Sequence, residues 1–65
     1  MVRIEINTGN AAFEEAPCRE VARILYTVAG KFELRNSGQL DPCDWPLFDI
    51  NGNTVGEVSI HLDQV

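Results

Sequence analysis

The sequence predicts an α+β fold in the order β-α-β-β: a three-stranded antiparallel sheet, order 1-3-2, with one helix packed on one face. Three observations carry this. A strict two-residue alternation opens the chain, an apolar arc at helical period follows over residues 17–32, and Asn51-Gly52 separates two apolar runs near the end. With 65 residues, residues 1–65 form a single domain that buries only ~60% of its unfolded surface.

Val2, Ile4 and Ile6 alternate with Arg3, Glu5 and Asn7, the pattern of a strand with one buried face. Thr8-Gly9-Asn10 then turns the chain, and the Asn10 side chain is placed to accept from the amides of a helical turn over Ala11-Ala12-Phe13.

Pro17 suits a first helical position, where its missing N–H is no loss. Cys18, Val21, Ala22, Ile24, Leu25, Val28, Ala29 and Phe32 fall on one arc about 160° wide at 100° per residue. Arg19, Glu20, Arg23, Thr27 and Lys31 take the opposite, solvent-facing side. Glu15–Arg19 and Glu20–Arg23 are spaced for ion pairs. Gly30 weakens the helix, Leu34 points to water, and Asn36-Ser37-Gly38 ends it.

Residues 39–46 contain two prolines and are read as a loop. Leu47–Ile50 and Asn53–Leu62 are read as a hairpin closed by a two-residue Asn51-Gly52 turn, because both positions tolerate positive φ. Val55 is out of phase with Val58, Ile60 and Leu62, and Gly56 between them marks a bulge. A right-handed β-α-β crossover between parallel first and second strands is the alternative; the antiparallel order is preferred because the third strand is the longest. The expected core is Val2, Ile4, Ile6, Val21, Leu25, Val28, Phe32, Val58 and Ile60. The other sheet face, with Arg3, Glu5, Asp49, Glu57, Ser59 and His61, is polar and either open or covered by a partner.

Glu5-Ile6-Asn7-Thr8-x-Asn10-Ala11-Ala12-Phe13, Glu20-Val21-Ala22-Arg23-Ile24-Leu25 and Asp49-Ile50-Asn51-Gly52-Asn53-Thr54-Val55-Gly56 together resemble small uncharacterised proteins encoded by bacteriophages and prophages. The resemblance covers most of the chain and implies a phage or mobile-element accessory protein acting in a bacterial cytoplasm. It carries no catalytic residues over. Residues 39–46, with Cys43 and Trp45, depart from it.

Charge is distributed unevenly. Residues 1–35 hold five basic and five acidic side chains, whereas Asp41, Asp44, Asp49, Glu57 and Asp63 stand in residues 36–65 without a Lys or Arg, giving the whole net charge of −5. That field disfavours direct nucleic-acid binding and favours basic protein surfaces. The first residues do not form a signal peptide and no apolar run is long enough to span a membrane, so the cytoplasm is the expected location and no membrane partner is expected. Cys18 and Cys43 are then reduced thiols, with one disulfide as the alternative. Helix phase makes Cys18 protected and loop context makes Cys43 exposed.

Constellations for catalysis or metals are incomplete. Asp49-x-Asn51-x-Asn53 resembles the start of a calcium loop, but Thr54 stands where Gly is needed and Ile60 where a bidentate Glu is needed. Cys18, Cys43 and His61 lack the paired spacing of a zinc site. Asp41 and Asp44 oppose thiolate formation at Cys43. Glu14-Glu15 and Asp41/Asp44 have no cleft wall to flank a sugar. The expectation is a non-enzymatic protein without cofactor that binds another protein or itself, as a possible homodimer. The alternative is an acidic inhibitor of a host nucleic-acid-binding defence protein, in the manner of an anti-CRISPR. The expected partner-binding residues are Asp41, Asp44, Trp45, Asp49 and Glu57. Trp45 is either an interface anchor or a lid on the core.

Overall fold

The computed structural model describes residues 1–35 and 40–62; the Asn36-Ser37-Gly38 helix stop lies outside them. The elements are β1 (Val2–Ile6), a 3-10 turn (Ala11–Phe13), α1 (Pro17–Glu33), β2 (Cys43–Phe48) and β3 (Thr54–Ile60). The sheet order is β1-β3-β2 and both pairings are antiparallel, as the patterning predicts.

Two hydrogen bonds at the ends of the β1–β3 ladder, Asn7 N–H to Val55 O and His61 N–H to Met1 O, fix which way each residue's amide points. Antiparallel pairs alternate between bonded and non-bonded. Arg3 and Glu5 therefore turn their backbone groups towards β3, while Val2, Ile4 and Ile6 turn theirs to the free edge. Along β3 the even residues 56, 58 and 60 serve β2, so Cys43, Trp45 and Leu47 bond to them through the register Cys43↔Ile60, Trp45↔Val58 and Leu47↔Gly56.

This corrects the loop reading over residues 43–46; residues 40–42 are outside any regular element, as expected, and residue 39 lies outside the described residues. β2 begins at Cys43 and runs through Pro46. It is an edge strand, and Pro46 occupies an outward-pointing position, where a strand loses no ladder bond to proline. The turn also differs. Gly52 has φ +86° and no other described residue has positive φ, which rules out a two-residue I′ turn. Instead Gly52 N–H bonds to Asp49 O and Asp49 N–H to Asn53 O, closing a three-residue loop, Ile50-Asn51-Gly52, with glycine at its left-handed position. β3 is correspondingly shorter than the expected Asn53–Leu62.

The bulge is present. Leu47 pairs with Gly56 and Phe48 with Thr54, leaving Val55 as the extra residue. Its insertion resets the phase, so Val55 and Val58 are both buried although they are three apart. Gly56 is required there: a Cβ at that position would lie 1.8 Å from the Glu5 carbonyl oxygen.

The core is Phe13, Ile24, Val28, Leu47, Val55, Val58 and Ile60, with Ile6, Ala12, Val21, Phe32, Cys43 and Trp45 packed against it. The expected Val2, Ile4 and Leu25 are not in it; each is 40–41% exposed. The cause is how α1 rotates. Ile24 and Val28 point at the sheet, which directs Arg23, Thr27 and Lys31 over the β2 side, where they line a groove with Pro46, Leu47 and Phe48. The apolar arc is broader than the sheet beneath it. Its Ile24–Val28 half is covered, and its other half lies towards β1, with Cys18, Leu25 and Ala29 exposed and Ala22 half-buried. Glu20, expected on the solvent side, is buried as part of the same rotation.

Candidate interaction surface

The buried polar residues lie at the end of the molecule where the hairpin loop meets the start of α1. The Asp49 carboxylate Oδ1 accepts from Asn51 N–H and Asn53 N–H, each at 2.9 Å. Its Oδ2 accepts from Asn10 Nδ2 at 2.8 Å and Asn53 Nδ2 at 3.2 Å. Asn10 Oδ1 in turn accepts from Ala12 N–H, capping the 3-10 turn as its sequence predicts. Beside this, Glu20 Oε2 accepts from Ile50 N–H at 2.9 Å, and Arg23 grips Glu20 with Nε and Nη2 while its Nη2 also donates to Phe48 O.

Burial raises the Asp49 pKa, but the donors from Asn53, Asn10 and Asn51 outweigh it and hold the carboxyl below its ordinary value. The hydrogen bond from Arg23 does the same for Glu20, against burial and with help from Ile50 N–H. A carboxylate whose oxygens are filled by amides is committed to the fold. Asp49 was expected on a contact surface; it is buried and leaves that set. Its arrangement with Asn51 and Asn53 is an amide clasp.

The remaining expected partner residues do not converge. Asp41 is exposed and 4.0 Å from Arg35, and Asp44 lies 3.8 Å from His61 on the open sheet face. Glu57 stands opposite Glu5 across the β1–β3 ladder, beside Arg3, Ser59 and His61. Within the acidic half, Asp41 thus pairs with a cation from the first half, and Glu57 shares its face with Arg3. Trp45 faces the helix and is half-buried against the core. Its ring meets Phe32 edge-on at 5.4 Å between centroids, and Lys31 and Arg35 sit over it at 5.6 and 5.3 Å. These contacts make it a lid on the core.

The cysteines are both free, and their expected environments are reversed. Cys18 is exposed and Cys43 is half-buried, the latter accepting from Arg35 Nη2 through Sγ.

The surface that sequence reasoning missed is apolar. Pro17, Cys18, Val21, Ala22 and Leu25 form an open, almost wholly apolar depression on α1. On the adjoining strand, Val2 and Ile4 lie on the helix-facing side, as their pairing with the buried Ile60 and Val58 requires, yet the helix does not cover them. A single signal pointed here: an apolar arc of about 160° exceeds what one helix buries on a three-stranded sheet. Among the described residues no helix is long and apolar enough to cross a membrane. No family model, curated protein or solved structure matches this chain.

Proposed function

We propose that this chain is a non-enzymatic accessory protein of a phage or mobile element that acts in the bacterial cytoplasm by binding protein through the β1–α1 apolar face. The observation that carries the reading is the uncovered half of the helix arc: Leu25 is 41% exposed, and so is Ile4 at 40% on the helix-facing side of β1, while the core is packed. Small proteins rarely leave contiguous apolar surface open without a partner for it. The polar groups favour the same reading, because the buried carboxylates are each saturated by internal donors and so hold the fold together.

The acidic-inhibitor reading has less support. A nucleic-acid mimic needs unopposed negative charge along one face, and Asp41 and Glu5 each have an arginine within 4.0 Å.

A photo-crosslinking residue placed at Leu25, and separately at Tyr26, which points away from the sheet and is 79% exposed, tests the reading in bacterial cells. Leu25 is expected to give a defined protein adduct and Tyr26 none. Equal adducts at both, or none at Leu25, overturns it.

A further inference from the structure

Resting on that reading, we propose that the occupant of the apolar face is a second copy of this chain, joined through antiparallel pairing of the two β1 strands about a two-fold axis at Ile4. The result is a six-stranded sheet with both helices on one side.

The two edges of the sheet differ. The β2 edge carries Pro46 at an outward position and has its Phe48 carbonyl occupied by Arg23, so it lacks a donor and part of its acceptor row. The β1 edge holds no proline, and Val2, Ile4 and Ile6 point their N–H and C=O groups away from β3. Such a strand is a template for another. Pairing it with itself so that Ile4 faces Ile4 brings Val2 opposite Ile6 of the second copy. These are the residues whose backbone groups point outward, so the strand's outward donors and acceptors are matched.

Charge selects this register. Centring on Ile4 puts Arg3 opposite Glu5 of the second copy, twice by symmetry. Centring on Arg3 opposes two arginines, and centring on Glu5 opposes two glutamates. A one-residue slip sends the helices to opposite faces and separates the apolar surfaces. The Arg3–Glu5 pairs fall at non-hydrogen-bonded positions, where side chains approach most closely. They also answer a conflict inside the monomer: Glu5 lies directly across from Glu57, a like-charge pair that destabilises a sheet. Arg3 of the second copy arrives on the other side of Glu5. Within one chain Arg3 reaches Glu5 only at 3.7 Å between exposed ends, so both are free to re-pair. On the helix-facing side, the same operation brings the two sets of Val2, Ile4 and Leu25 together and covers the exposed half of each arc.

Sedimentation velocity on four forms of the chain tests this. The natural chain is expected to be a dimer. Arg3→Glu and Glu5→Arg each place like charges at both pairs and are expected to raise the dimer dissociation constant roughly tenfold or more, with unchanged circular dichroism because both side chains are exposed. Arg3→Glu with Glu5→Arg in one chain restores the dimer. An equimolar mixture of the two single variants forms a heterodimer, since every pair then becomes attractive. A natural chain that stays monomeric at the highest attainable concentration, or single variants as dimeric as the natural chain, overturns the proposal. A monomer that still crosslinks through Leu25 to a different protein overturns the dimer alone and leaves the protein-binding reading standing; a monomer with no Leu25 adduct overturns both.

Discussion

Gly56 is the residue least open to change. Its backbone carries β3 past Glu5 with no room for a side chain, so Gly56→Ala forces the β1–β3 ladder apart. Its unfolding free energy in a denaturant melt is expected to fall by roughly 2–4 kcal/mol. Gly30 has nothing within 4 Å of an added Cβ, so Gly30→Ala is expected to be stabilising by roughly 0.5–1 kcal/mol through helix propensity. The clasp residues govern the response to acid. Asp49 and Glu20 titrate below their ordinary values when folded, so their contribution to stability is complete above the unfolded carboxylate range and is lost as pH falls through the folded values. Thermal melts are expected to be level from pH 8 to about 5 and to drop below about pH 4. Asp49→Asn should lower the melting temperature at neutral pH and flatten that acid drop; an unchanged pH profile would show that the clasp does not couple to folding.

At the scale of elements, β1, α1 and β3 were legible because each has a clean period, and the bulge was legible because Val55 breaks phase with Val58 beside a glycine. The helix's rotation was not. Hydrophobicity places the arc but not which half of it meets the sheet, since Ile24 and Leu25 are equally apolar and 100° apart. Ile24→Ala should therefore cost about 2–5 kcal/mol and Leu25→Ala under about 1 kcal/mol; a reversed order in denaturant melts would mean the helix sits the other way round. The same rotation exposes Cys18, which should react with a thiol reagent well before Cys43, whose sulfur is half-buried against Arg35. β2 was missed because proline argues against strands in general, while the rule relaxes at an outward edge position that only the sheet order reveals. The clasp was half visible. Asn10 as a cap and Asp49-x-Asn51-x-Asn53 as a turn could be read locally, but Asn10 and Asp49 are 39 residues apart, and their meeting is a product of topology.

For the molecule as a whole, exposed charge should separate from stability. Asp41→Lys with Asp44→Lys is expected to leave the melting transition within about 1 kcal/mol of the natural chain, because both carboxylates are solvent-exposed and their contacts are screened. A large loss would show the open sheet face to be structurally important. The position of Pro46 has a consequence for assembly size. A sheet that can be extended at both edges grows without limit, which is the route from an edge strand to amyloid. Here one edge is open and the other is closed by an imino acid, so each chain has a single valence for strand addition, and joining two exhausts it. Growth ends because the outermost strands of the pair are both β2. Pro46→Thr supplies the missing amide and gives the chain a second valence. It is expected to convert a small, size-limited species into thioflavin-positive fibrils at high concentration, while the natural chain under the same conditions stays clear.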